Sequence, residues 1–171
     1  MAEIEIEKVV LNIGAVGEQG DKAITFLQRF TGRKPVKTKA KKRIPAFNIR
    51  PGLEIGAKIT LRKNFNELLQ RLLASVRNKI KKKQVKENGF TFGIEEYIEI
   101  PGMEYQRDLG MLGLDVSVSF KRKGKRVKIR KIKRGKYPKK QHVPAEEIIK
   151  FMQDKFKLEV EDDSKRLEED T

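Results

Sequence analysis

Residues 3–13, EIEIEKVVLNI, alternate in character. Val9, Leu11 and Ile13 point one way and Lys8, Val10 and Asn12 the other, the period of two that marks a half-buried strand. Three glycines, Gly14, Gly17 and Gly20, then loosen the chain before a helical stripe over about 21–31 (Ala23, Ile24, Leu27, Phe30), which Gly32 ends. A short strand is expected over about 35–40. Segment 53–62 is the clearest strand: Ile55, Ala57, Ile59 and Leu61 make an apolar face, and Gly56, Lys58, Thr60 and Arg62 a polar, cationic one. NFNELLQRLLASVRNKI (64–80) reads as an amphipathic helix that buries Phe65, Leu68, Leu69, Leu72, Leu73, Val76 and Ile80. Asn64 and Glu67 stand at capping-box spacing at its start.

Further along, 90–100 (FTFGIEEYIEI) reads as a strand and 101–113 as a long loop. LDVSVSF (114–120) sets Leu114, Val116, Val118 and Phe120 against Asp115, Ser117 and Ser119. A turn at Gly124 is expected to pair it with a strand over 126–132. Pro144 opens a closing helix over about 144–156, with Ile148, Ile149, Phe151, Met152 and Phe156 on its buried side. No repeat and no Ser/Gly linker interrupts the chain. The pattern predicts an α+β fold, an antiparallel sheet with helices packed on one face and the other face left open. On this reading 1–158 is a single domain, with a basic arm at 121–143, and 159–171 is an acidic, disordered tail.

Charge changes the picture. The chain has 171 residues and a formal net charge of +16. Positions 159–171 hold seven acids against Lys165 and Arg166, so the residues before them carry five more positive charges, +21. Self-repulsion of that size destabilises a compact state and implies a strongly anionic partner, nucleic acid first and an anionic membrane surface second. There is no cysteine, which excludes a disulfide scaffold, a thiolate nucleophile and thiolate metal sites and is in keeping with the cytoplasm. The opening MAEIEIEK is neither a signal nor a transit peptide, and no apolar run approaches the ~20 residues of a membrane-spanning helix.

Candidate catalytic chemistry is sparse. The glycines of GAVGEQG are spaced G-x-x-G-x-x-G, matching neither the dinucleotide fingerprint nor the Walker loop, so a flexible turn is the better reading. His142, the single histidine, has no second histidine, carboxylate cluster or nucleophile beside it, and reads as a surface phosphate contact or a plain loop residue. Glu95 and Glu96 are adjacent on a predicted strand, face opposite sides and cannot act as a pair. Phe90 and Phe92 resemble an aromatic stacking strand, but the surrounding signature is missing and core packing is preferred. No enzymatic activity, cofactor or metal is expected.

Three cationic stretches carry the functional signal. Residues 34–50, KPVKTKAKKRIPAFNIR, hold seven Lys or Arg and no acid, with Pro45, Phe47 and Ile49 among them. Residues 77–86 extend a predicted helix end, where cations also suit the dipole; a solvated helix terminus is the alternative. Residues 121–140 hold thirteen Lys or Arg and no acid. Such density needs phosphates around it, and Gly124, Gly135 and Pro138 let it follow an irregular backbone. No recognition helix for duplex DNA is evident, and the pattern fits folded RNA read by shape and phosphate.

KVVLNIGAVGEQGDK, TGRKPVKTKAKKRIPAFNIRPGLEIGAKITLR and FGIEEYIEIPGMEYQRDLGMLGLDVSVSF together resemble the fifth protein of the large ribosomal subunit, the universal family that binds 5S ribosomal RNA. The resemblance is collinear over about 7–120, and the short N-terminus with the arm and closing helix is similar to the archaeal branch. It implies a non-enzymatic protein, cytoplasmic and ribosome-bound, that attaches 5S rRNA to 23S rRNA in the central protuberance. It also implies contact with P-site tRNA, with neighbouring ribosomal proteins and with the small-subunit head. Neither a membrane nor a homo-oligomer is implied. On the resemblance, 5S rRNA would meet Asn12, Arg33, Lys34, Thr38, Lys58, Thr60 and Arg62. A projecting loop with Lys39, Lys41, Lys42, Arg43, Phe47, Asn48 and Arg50 would reach 23S rRNA and P-site tRNA. This loop is expected to be disordered in the free protein and ordered on RNA. Further rRNA contacts are expected from Arg122, Lys125, Arg126, Lys128, Arg130, Lys133, Arg134, Lys136, Lys139, Lys140 and His142. Three positions depart from the family pattern: Arg33 replaces a usual Gln, Ala15 is an extra residue, and Lys63 replaces a common Gly. An amide acceptor is lost at position 33.

Two other classes compete. An RNA-modifying enzyme or assembly factor borrowing the same sheet would need a cofactor loop or catalytic constellation. A membrane-surface protein would need its cations on one amphipathic helix with a bulky apolar face, and they are not so arranged.

Overall fold

A computed structural model describes residues 3–161. In chain order it contains β1 (Ile4–Gly14), α1 (Glu18–Thr31), β2 (Val36–Lys39), β3 (Glu54–Leu61), α2 (Asn66–Ser75), β4 (Lys79–Lys81) and β5 (Val85–Lys86). There follow β6 (Gly89–Ile94), β7 (Leu114–Arg122), the single turn α3 (Arg126–Ile129), α4 (Ala145–Phe156) and β8 (Glu159–Glu161). Six strands form an antiparallel sheet in the order β2-β3-β1-β7-β6-β5, and β4 and β8 make a separate parallel pair. The fold is therefore α+β, as the alternating strands and amphipathic helices predict.

The residues group into two compact units. One comprises Val10–Leu61 and Gly93–Val116; the other comprises Met1–Val9, Arg62–Phe92 and Ser117–Thr171. In the first, α1 lies on β3 and β2 and buries Ala23, Phe26 and Leu27. Phe26, centred on that face, packs against Tyr97 with ring centroids 5.0 Å apart. The predicted stripe named its flanks, Ile24 and Phe30, and both are only half-buried. Gly32 ends the helix as expected, at φ 65°, its N–H donating to the Gln28 carbonyl. Val9, Leu11 and Ile13 of β1, and Ala57, Ile59 and Leu61 of β3, are all buried as the alternation requires. Gly56 is a close-approach residue: a Cβ there would stand 2.2 Å from the Ile13 carbonyl oxygen.

In the other unit Phe90, Phe92 and Phe120 form the aromatic core, and Phe120 meets Phe151 of α4 edge-on at 5.7 Å. Each such burial is worth about 1.5–3 kcal/mol. Core packing is thus the role of Phe90 and Phe92, at 2% and 4% exposure.

Several boundaries differ from the sequence prediction. Helix α2 stops at Ser75, because Arg77 and Asn78 turn left-handed (φ 55° each) and the Asn78 N–H reaches back to Leu73. Ile80 is still buried, but on β4. The capping box is absent: Phe65 occupies the cap without a side-chain bond, and Asn64 instead supplies a left-handed turn (φ 54°). Strand β6 ends at Ile94, and Tyr97–Glu99 is a tight helical turn whose Tyr97 N–H bonds the Leu112 carbonyl. Finally, 126–132 is not a strand. Both neighbours of β7 are already β1 and β6, and cations paired across from Lys121 and Lys123 would repel. Residues 159–161, assigned to the acidic tail, form β8; the rest of that tail, 162–171, lies outside the described residues.

Candidate nucleic-acid interface

The register of β2 against β3 positions the first set of residues. Val36 lies opposite Lys58, and Thr38 opposite Gly56, on the face turned away from α1. Lys37, one step out of phase, faces α1 instead. Its ammonium bridges Glu54 at 2.7 Å and Asp21 at 3.0 Å, and these bonds, Glu54's first, raise its pKa. Alternation therefore sorts the lysines of this segment into one held by acids (Lys37) and one on the outer face (Lys58). Thr60 follows Lys58 on the same side of β3, and Asn12 lies on the corresponding side of β1, the neighbouring strand. Asn12, Thr38 and Thr60 are half-buried, and Lys58 is exposed. Val36, 61% exposed, adds an apolar contact surface that the charge pattern did not single out. Arg33 and Lys34 are exposed just past the Gly32 cap, where the buried Pro35 turns the chain into β2. Arg62 is exposed immediately after β3 and belongs to the other compact unit.

The basic loop is closed by its own main chain. Ala40 donates to Leu53 and Gly52 donates to Ala40, both at 2.9 Å, fastening the base. Higher up, Ile44 and Ile49 exchange two backbone bonds (3.0 and 3.1 Å) around the Pro45–Phe47 turn, with Asn48 left-handed at φ 52°. Asn tolerates that conformation because its short side chain bonds locally. Phe47 stands at its tip, 75% exposed, so its ring does not pack on its own stem. Lys39, Lys41, Lys42, Arg43, Asn48 and Arg50 are exposed around it. An exposed ring flanked by cations can stack on a base while its neighbours take phosphates.

The arm divides into held and presented cations. Arg122 is corrected: it is 6% exposed, its guanidinium lies 2.5 Å from the Glu147 carboxylate, and its Nε has no hydrogen-bond partner. It is a structural residue of β7 and α4, not a surface contact. Lys125 is half-buried and paired with Glu7. His142 is held 2.8 Å from Glu87 and stacked on Tyr137 at 5.4 Å, a fixed position at the foot of the arm. By contrast Arg126, Lys128, Arg130, Lys133, Arg134, Lys136, Lys139 and Lys140 are exposed. The Arg134 Nε and the Gly135 N–H bond the carbonyls of Lys128 and Val127, folding the arm back on α3.

The acids of the opening strand, which the charge count passed over, hold the root of the arm. Glu5 pairs with Lys121 at 3.5 Å and Glu3 with Lys123 at 2.8 Å. The bond to Lys123 lowers the Glu3 pKa, and the same bond raises that of Lys123. The complementary alternation of EIEIEK and KRKGK was the signal for this pairing. Among the described residues no cluster of His, Cys, Asp and Glu could hold a metal ion, and no helix is long and apolar enough to cross a membrane.

Comparison with known proteins places these surfaces in a family. The model described as "Ribosomal protein L5" matches residues 1–50, and a second model, for the C-terminus of the same ribosomal family, matches 54–151. The chain is 50% identical over 165 residues to large ribosomal subunit protein uL5 of Nanoarchaeum equitans, covering 94% of this chain and 97% of that one. It is 41% identical to the protein of the same name from Methanoculleus marisnigri, covering 94% and 98%. The corresponding protein of Methanococcus maripaludis is 40% identical over 168 residues, covering 94% and 92%.

Proposed function

Because this chain belongs to the uL5 family of large-subunit ribosomal proteins, with relatives across the archaea, we propose that it seats 5S rRNA on the sheet face that carries Asn12, Thr38, Lys58 and Thr60. It is a structural component of the large ribosomal subunit, bound to the ribosome in the cytoplasm, and not an enzyme. The observation that carries the finer reading is the register of β2 and β3. That register gathers small hydroxyl and amide donors and one exposed lysine on a single face, while acids sequester Lys37 behind it. Small polar groups on a pleated surface suit the wide, shallow minor groove of A-form RNA, where 2′-hydroxyls and phosphates are the accessible partners. Arg33 and Lys34 add cations just before β2.

The hairpin around Phe47 and the exposed cations of the arm take further RNA: 23S rRNA in the central protuberance and the P-site tRNA for the hairpin, and rRNA backbone for the arm. Neighbouring ribosomal proteins of the central protuberance and of the small-subunit head complete the partners. A 5S rRNA titration tests the sheet. Asn12→Ala and Thr60→Ala should each weaken binding by about 1–2 kcal/mol, roughly 5- to 30-fold, with unchanged circular dichroism. Parental affinity in both variants would place the RNA elsewhere.

A further inference from the structure

The start of β1 has a strand on one edge only. The sheet neighbours of β1 are β7 and β3. Strand β3 has eight residues against the eleven of β1, and the Ala15 N–H donates to the Ile55 carbonyl at 3.1 Å. Counted from that bond through an antiparallel pair, β3 runs out at Leu61, close to Val9. Among the described residues, therefore, no strand covers the far edge of residues 4–7, and its N–H and C=O groups are a template for another strand. Beside this edge lies a groove of about 450 Å³, lined by Ile4 and Ile6, by Phe65 at the start of α2, and by Phe151 and Phe156 of α4. All five are half-buried. The side chains of the edge are sorted by face. Lys121 and Lys123 alternate with the buried Phe120 and Arg122, and they meet Glu5 at 3.5 Å and Glu3 at 2.8 Å. Glu3 and Glu5 therefore face away from the helices, while Ile4 and Ile6 face toward them, one step out of phase with Val9. Glu3 keeps 73% of its side chain exposed, with room for a second cation.

We propose that residues 4–7 take an added β-strand: an extended segment of a neighbouring large-subunit protein that alternates apolar side chains with Lys or Arg. Its main chain bonds the free edge, its apolar side chains fill the groove, and its cations lie beside Glu3 and Glu5. This chain's own β7 shows the chemistry from the opposite edge, setting Phe120 inward and Lys121 against Glu5. Charge decides against the other occupants. The charged lining of the groove is Glu3, Glu5 and Lys155, an acidic balance in a chain of net charge +16, which does not suit RNA phosphate. A second copy joined edge to edge would set the glutamates of one chain against those of the other, and like charges directly opposite are destabilising. The ribosomal identity of the partner rests on the functional reading, but the strand addition does not.

Two experiments test it. In the first, the peptide acetyl-KVKVKV-amide is titrated into the full chain and followed by amide NMR. The amides of residues 4–7 should shift and exchange more slowly with solvent. The same composition without alternation, acetyl-KKKVVV-amide, should bind about tenfold more weakly, the scale of one or two net hydrogen bonds. The double change Glu3→Gln and Glu5→Gln should weaken KVKVKV binding about fivefold. Equal binding of the two peptides, or shifts confined to other residues, would overturn the strand addition. Shifts of the same amides with protein concentration alone would make a second copy the occupant and overturn it as well. In the second experiment, purified large subunits are treated with a zero-length carbodiimide and read by mass spectrometry. Glu3 or Glu5 should be joined to a lysine of another ribosomal protein, within a segment of alternating apolar and basic residues. Cross-links only to Lys121 and Lys123, only to lysines outside such a segment, or none, would overturn the assignment of the partner. The peptide titration involves no RNA, so a failed 5S rRNA titration would count against the functional reading and not against the strand addition.

Discussion

Gly56→Ala is the sharpest test of how the sheet is built. The added Cβ would lie 2.2 Å from the Ile13 carbonyl oxygen, 3.2 Å from the Ile13 carbonyl carbon and 3.3 Å from the Gly14 Cα. The first contact is more than ~1 Å inside the optimum near 3.5 Å for non-bonded heavy atoms. All three neighbours are backbone, so no rotamer change relieves the clash and β3 must move away from β1. Overpacking costs about 1–3 kcal/mol, and a rigid neighbour puts this case at the upper end, about 3 kcal/mol. For a chain of this size that lowers the melting temperature by roughly 6–12 °C. Gly14→Ala is the control, because no atom lies within 4 Å of its added Cβ. Thermal unfolding followed by circular dichroism measures both. A Gly56→Ala melting point within about 2 °C of the parent would refute the close approach of β1 and β3. In that event the placement of Asn12 on the face that carries Lys58 and Thr60 would fall with it.

Three further outcomes are expected. Replacing 41–50 by a Gly-containing turn should leave 5S rRNA affinity nearly unchanged but lower P-site tRNA occupancy in assembled ribosomes; the reverse pattern would mean the hairpin was assigned to the wrong RNA. Arg122→Ala should cost about 2 kcal/mol in urea unfolding, less than for a fully buried pair because Glu147 keeps partial access to water, while RNA affinity per folded molecule stays at the parental value. A drop in affinity without a drop in stability would restore Arg122 as a contact. The Glu3 carboxyl, held below its ordinary value of 4.5 chiefly by its hydrogen bond to Lys123, stabilises the fold above that pH, and the contribution is lost as pH falls through the lowered value. Lys123→Gln should return the Glu3 titration, followed by carboxyl carbon chemical shift, to the ordinary range; an unmoved titration would show that the pair does not form in solution.

How much of this was legible depended on whether a local period decided the structure. Strands β1, β3 and β7 were readable because each buries one face, so a period of two names most of the buried residues, the exception being the start of β3, where Ile55 is half-buried and Gly56 is buried. That period even covers Arg122: the alternation through Leu114, Val116, Val118 and Phe120 continues inward to it, and its charge alone suggested the surface. The end of α2 was not readable. Val76 and Ile80 keep a helical spacing, and the turn that breaks it uses Arg77 and Asn78 where no glycine gives warning. The arm failed for another reason. Whether 126–132 can pair with β7 depends on β1 and β6, which come from distant sequence and leave β7 no open edge. Within the candidate site, the sorting of Lys37 from Lys58 required the register, since both look alike as members of a basic run. The hairpin closure at Ala40 and Ile44 is made of backbone bonds that no side-chain pattern announces.

The proposed grip on 5S rRNA is a set of phosphate and ribose contacts on a preformed surface. Its most direct test is the affinity for 5S rRNA measured across salt concentration. The account predicts a linear fall of log K with log salt, each neutralised phosphate adding about 0.7–0.9 to the slope, and a slope reduced by about one such step in Lys58→Gln. An affinity that hardly changes between low and high salt, or a slope identical in Lys58→Gln, would contradict it.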